Sequence, residues 1–143
     1  MKSRITKKTN LCLSLMLSVI MLIILAACGA GAPPDASGVT ALDIGQGGTV
    51  FRFEVTDDTE TVSAWNVHTD ETMVGAALLE VGLIDGDVSD FGLFVLEVNG
   101  LASDFDENQS WWAFYIDGEM AFAGVDDTEI ESDVVYAFVY TIG

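Results

Sequence analysis

The chain has 143 residues but only five Lys and Arg, two cysteines, two prolines and one histidine. Each scarcity removes a class of function. Lys2, Arg4, Lys7 and Lys8 crowd into the opening, which leaves Arg52 as the one strong cation of the remaining chain. All 23 Asp and Glu lie after Cys28, so the whole-chain charge of −18 becomes −22 once the four opening cations are set aside. Affinity for nucleic acid comes from Lys and Arg contacts to phosphate, and this composition excludes such a partner. It also repels an anionic membrane surface. His68 has no second histidine with which to build a zinc site, and no Gly-x-Ser-x-Gly elbow accompanies it. The abundant carboxylates single out no acid–base pair, so no enzyme and no cofactor is expected. Cys12 and Cys28 both precede the region that reads as folded, which excludes a disulfide, a thiolate metal site or a cysteine nucleophile there.

What is present begins with the basic opening and an apolar run from Leu11 to Ala27 that contains no acid. The run is short for a membrane-spanning helix of about 20 residues and suits the central region of a signal peptide. It ends in "LAAC", Leu25 to Cys28, which resembles the bacterial lipobox. Residues 1–27 are therefore expected to be a lipoprotein signal peptide. Cys28 is expected to be the lipidated (fatty-acylated) mature N-terminus, holding the protein on the outer side of the cell membrane. Residues 28–47 read as the lipidated cysteine and a flexible tether, small-residue-rich and interrupted by Pro33 and Pro34. A coil of that length reaches roughly 25 Å. Val39 to Ile44 is a candidate for a short extra strand. Residues 48–143 read as one domain.

Within it, Phe51, Phe53 and Val55 alternate with Arg52, Glu54 and Thr56, a strand pattern. Asp57 to Thr59 supply a turn into a second strand, Val62 to Val67. Val74, Ala77, Leu78 and Val81 then fall at helical spacing. Thr69 or Asp70 is placed to cap that helix, and Gly82 to end it with Leu83 folding back. Gly75 is read as allowing the helix close to the sheet. "GLFVLEVNG" is a strand ending at an Asn-Gly turn, "WWAFYIDGEMAFAG" a hairpin about Asp117-Gly118, and Val134 to Thr141 a last strand. The expected class is α+β: a mixed sheet packed on one helix.

Four blocks, "TDETMVGAALLEVGLIDGD", "GLFVLEVNG", "WWAFYIDGE" and "GVDDTEI", resemble in that order the transcobalamin-like C-terminal domain family in its bacterial lipoprotein form. The resemblance covers about Gly48 to Thr141. It implies a β-grasp-like sheet wrapped on one helix. In the animal carriers such a domain closes over cobalamin opposite a helical barrel, so a corrinoid is the implied small ligand. This chain has no barrel, and no ligand residue is carried over. "ESDVV", Glu131 to Val135, lacks the glycine often found before the family's last strand.

Two functions follow as expectations. One is small-ligand capture for uptake, handing the ligand to a transporter. The other is a cell-surface protein-interaction module with no small ligand, meeting its partner by a sheet edge or an aromatic face. In the strand "WWAFYI", Trp112, Phe114 and Ile116 point one way, and Trp111, Ala113 and Tyr115 the other. Trp112 is assigned to packing, and Trp111 with Tyr115 to a ligand-binding surface. Val135, Ala137 and Val139 are taken as the helix-facing set of the last strand, with the Asn99–Ser110 loop or Val39–Ile44 covering the aromatic face. Asp85, Asp87 and Ser89 have calcium-loop spacing, but Asp90 and Leu96 stand where that loop needs glycine and a carboxylate. No metal is assigned, and the acidic clusters are read as solvated loops.

Overall fold

The computed structural model describes residues 38–143. The expected signal peptide, Cys28 and most of the tether lie outside them. The elements are β1 (Leu42–Gly45), β2 (Thr49–Thr56), β3 (Val62–Thr69), helix α1 (Val74–Glu80), β4 (Ile84–Ser89), β5 (Gly92–Val98) and β6 (Leu101–Ala102). There follow α2 (Phe105–Asn108), β7 (Ser110–Ile116), β8 (Glu119–Met120), a 3₁₀ turn (Val125–Asp127) and β9 (Val135–Ile142). Six strands form a mixed sheet in the order β1-β3-β2-β9-β7-β8, and β4-β5-β6 form a second, antiparallel sheet. The class is mixed α+β, as expected. The architecture is mostly strand in two sheets, and one helix on one sheet does not describe it.

The second sheet escapes a reading of the sequence because four of the six residues of β4, "IDGDVS", are acid, glycine or serine, all poor strand formers. Pairing with β5 makes it a strand: Val88 lies opposite Leu93 and Ile84 opposite Val98. The acidic stretch from Asp85 is thus a strand and not a solvated loop. At the other end of the domain, β1 lies parallel to β3, with Leu42 beside Trp65 and Gly45 beside His68. The Asp43 carboxylate is 3.1 Å from His68 Nε2 and accepts from Asn66 Nδ2 at 3.3 Å. These contacts, His68 foremost, lower its pKa. The last residues of the segment read as tether therefore belong to the sheet.

Helix α1 forms where the period of 3.6 predicts it, and Val74, Ala77 and Leu78 are fully buried. Its start differs. Met73 is the N-cap and makes no side-chain capping bond. Thr69 Oγ1 instead accepts from Glu71 N at 3.0 Å, and Asp70 Oδ1 accepts from Gly48 N at 2.9 Å. Both side chains serve the turn before the helix. At the far end Gly82 is left-handed, and Leu83 N donates back to Leu78 O at 2.9 Å, as expected.

Gly75 answers a close approach, but to a different neighbour. A Cβ there would lie 2.9 Å from Asp126 Cα, on the 3₁₀ turn. Helix propensity favours Gly→Ala by about 1 kcal/mol; the collision with backbone reverses the sign. Gly75→Ala is expected to lower stability by about 1–3 kcal/mol in urea melts. A stabilised variant would show that the turn yields freely.

The strand register decides which face is core. Trp112 lies opposite Tyr140, Phe114 opposite Phe138 and Ile116 opposite Tyr136. Across β2, Phe53 lies beside Tyr136 and Val55 beside Phe138. The aromatic set of the last strand therefore shares the helix side with Phe51, Phe53 and Trp65. This corrects the expectation that Val135, Ala137 and Val139 face the helix. Phe138 packs at 5.1 Å from the Phe114 ring and 6.2 Å from Phe53. Near "ESDVV" the missing glycine is replaced by a side-chain tie. The Tyr136 hydroxyl accepts from Glu131 N at 2.9 Å and donates to Glu129 O at 3.0 Å. Burial pushes this phenol's pKa up.

Candidate functional site: an apolar cleft and exposed loop aromatics

Trp111 and Tyr115 project from the sheet face opposite the helix, as the alternation requires, and both are half-buried. The Trp111 ring sits 6.3 Å from that of Phe105 on α2, so the Asn99–Ser110 loop does cover an aromatic group, though a single one. Tyr115 lies opposite Ala137 on β9 and Met120 on β8. Buried Ala113 separates the two side chains.

Phe105 and Met120, the neighbours of Trp111 and Tyr115, are exposed, and further large exposed apolar groups lie elsewhere. Phe91, in the two-residue turn of the β4–β5 hairpin, and Phe122, just after β8, are fully exposed. Phe94 is 59% exposed and Val88 83%. Asp126 ties the 3₁₀ turn to β5. Its Oδ2 accepts from Leu93 N at 2.9 Å. A Cβ at Gly92 would stand 2.7 Å from that oxygen, and one at Gly124 2.7 Å from Oδ1. The glycines leave room for the carboxylate there. Phe91 and Phe122 are the fully exposed aromatic tips of two separate loops, one in the β4–β5 turn and one between β8 and the 3₁₀ turn.

Between β5 and β7 lies a cleft of about 150 Å³ bordered by Phe94, Trp111, Trp112, Phe114, Val125 and Phe138. It is predominantly apolar. Burial of a flat or aliphatic group here would gain free energy at roughly 25 cal/mol per Å², and the rings around it offer faces and edges for stacking. Phe91, Phe94 and Phe122 were not singled out as site residues from the sequence. The signal that could have found Phe91 is its context: in "SDFGL" a phenylalanine sits inside a tight turn, where it cannot reach the core.

Among the described residues, no three His, Cys, Asp or Glu side chains come together as a metal site requires. Asp85, Asp87 and Ser89 are alternate residues of β4, an extended ladder that cannot wrap an ion as a loop does.

Comparison with known proteins agrees with this fold. A family model described as a domain of unknown function (DUF4430) matches residues 70–135, from the turn before α1 to the first residue of β9. No curated protein matches the chain. A candidate metal-binding protein from Ruminococcus gnavus ATCC 29149 superposes with a TM-score of 0.64 at 24% identity, over 67% of this chain and 99% of that one. Haptocorrin in complex with Cbi superposes with a TM-score of 0.50 at 11% identity, over 66% of this chain and 25% of haptocorrin. At these identities the likeness is one of fold. The fold of the described residues is thus transcobalamin-like, and the chain spans a quarter of the haptocorrin chain it resembles.

Proposed function

We propose that this protein is a lipid-anchored extracytoplasmic binding domain that captures a small, flat, corrinoid-like ligand without transforming it. The observation that carries the reading is the apolar, aromatic-bordered cleft between β5 and β7, together with two fully exposed loop phenylalanines, Phe91 and Phe122, that serve no packing. The likeness to haptocorrin, a protein seen with Cbi bound, supports ligand capture. Because this chain spans a quarter of haptocorrin, it supplies one wall of such a site, and a transporter component or surface protein supplies the rest. The basic opening, the apolar run and "LAAC" support lipidation at Cys28 and a position outside the cell membrane.

Calorimetric titration of the full-length protein with cobinamide is the test. Phe91→Ser with Phe122→Ser removes both exposed rings without touching the core. Binding to wild type, weakened at least tenfold by the pair, is the expected result (a tenfold loss corresponds to about 1.4 kcal/mol). Absence of binding, or equal affinity for both proteins, overturns the ligand reading. The anchor is tested separately: metabolic lipid labelling is expected to vanish in Cys28→Ala, and equal labelling would remove it.

A further inference from the structure

The strand β7 has an edge that the fold leaves open. On one side it pairs along its whole length with β9. On the other it pairs only at its end, where Tyr115 and Ile116 meet Met120 and Glu119 of β8. Ala121 N adds one bond to Phe114 O at 3.0 Å, and the pairing with β7 goes no further, although Gly124 and Val125 border the cleft beside it. At the strand's start, Ser110 N is taken up by Asn108 Oδ1 at 3.0 Å. Alternate residues of a strand direct their backbone groups to the same side. Trp112 therefore aims its N–H and C=O outward in line with Phe114. Among the described residues these two groups and Phe114 N–H have no hydrogen-bond partner.

Neighbouring edges are treated differently. Leu93 N, on β5 across the cleft, is blunted by the Asp126 carboxylate. Open edges are a liability that folds normally cover, charge or twist away. This one runs beside the 150 Å³ apolar cleft bordered by Phe94 and Val125. The cleft offers apolar contact to a side chain laid along the edge.

We propose that the β7 edge binds an extended peptide of a partner protein, added antiparallel as a continuation of β8. Its backbone pairs with Trp112 and Phe114, and one aliphatic or aromatic side chain enters the cleft. The charge of the domain identifies the chemistry of the peptide. Glu119, Asp126 and Asp127 lie at one end of the edge, and Asp104, Asp106 and Glu107 at the other. The occupant is therefore basic. A second copy of this chain is excluded as occupant by the same charge, since its own edge is equally acidic. Main-chain pairing supplies the affinity, and the cleft and the acids supply the selection, as in other cases of strand addition. The inference rests on backbone groups of β7, and its test is independent of ligand capture.

The probe is a blocked seven-residue peptide of alternating lysine and valine, added to the full-length protein. Amide hydrogen exchange of Trp112 and Phe114 is expected to slow at least tenfold, while amides of β1 at the far edge keep their rates. Two control peptides isolate the causes. N-methylation at alternate residues removes the pairing N–H groups and keeps the charge; glutamate in place of lysine keeps the backbone and reverses the charge. Both are expected to bind at least tenfold more weakly. Phe94→Ser, at an exposed position bordering the cleft, is expected to weaken the lysine–valine peptide and leave the fold intact.

Equal binding of the N-methylated peptide would reduce the interaction to surface charge and overturn the proposal. So would unchanged exchange at Trp112 and Phe114 with saturating peptide. Protection of the two amides that grows with protein concentration and needs no peptide would assign the edge to self-association instead. Failure of the cobinamide titration leaves these readouts unaffected, so the two proposals fail separately.

Discussion

Replacing Trp112 by alanine is expected to cost about 3–5 kcal/mol of stability, the range for deleting a large buried aromatic. Trp112 is 6% exposed. Its ring meets Tyr140 edge-on at 5.2 Å, and its Nε1 donates to Leu101 O at 3.2 Å. Truncation therefore opens a cavity under β7 and also strands a carbonyl on β6. Trp111→Ala is expected to cost clearly less, because Trp111 is half-buried and its ring neighbour Phe105 is itself 61% exposed. Urea melts of the two variants, compared at constant m-value, check the order. If Trp111→Ala proves the more destabilising, the register of β7 on β9 must be shifted by one residue, since only that exchanges the two faces.

The second large effect is expected at Arg52. Its Nε donates to Glu54 Oε1 at 2.7 Å, and the two side chains are 4% and 11% exposed. Nη2 donates to Val39 O at 2.8 Å, which ties the chain ahead of β1 to the sheet. Two residues apart on β2, the pair lies on the face opposite the aromatic core. Arg52→Ala takes the cation from a buried carboxylate and is expected to cost about 3–5 kcal/mol. The double change Arg52→Met with Glu54→Leu removes both charges at similar volume and is expected to recover most of that loss. Chemical denaturation of the wild type and the two variants is the measurement. A double variant as unstable as Arg52→Ala would mean that the pair itself, and not the burden of an uncompensated charge, holds this face.

Much of this fold is legible in the residues alone. The period of two places β2, β3, β5, β7 and β9, and Val74, Ala77 and Leu78 at helical spacing place α1. Asn99-Gly100 and Asp117-Gly118 mark hairpin turns, and each pair has positive φ, the conformation such two-residue turns need. These signals are local: backbone sterics and side-chain spacing act within a few residues, so a linear reading detects them. The opposed facing of Trp111 and Trp112 belongs with them, because adjacent residues of a strand always diverge.

Other features were decided only by contacts between distant segments. Most residues of β4 disfavour a strand, and the segment becomes one because β5 lies beside it. The capping candidates Thr69 and Asp70 are drawn instead to Glu71 and to Gly48, the latter 22 residues earlier. Gly75 is confined by Asp126, far along the chain. The core face of β9 was misassigned because alternation divides a strand into two faces without naming the buried one; its pairing with both β2 and β7 names it. The candidate site shares this dependence. The apolar cleft exists only because β5 and β7, far apart in the chain, face each other across it, and the open edge of β7 exists only because β8 stops after two residues. The sequence by itself therefore determined the elements, the charge and the scarcity of catalytic groups, all properties of composition and short-range geometry. Only the tertiary structure decided which faces meet, which edge stays unpaired and where aromatic rings are left in water, because those depend on long-range pairing that no local pattern encodes.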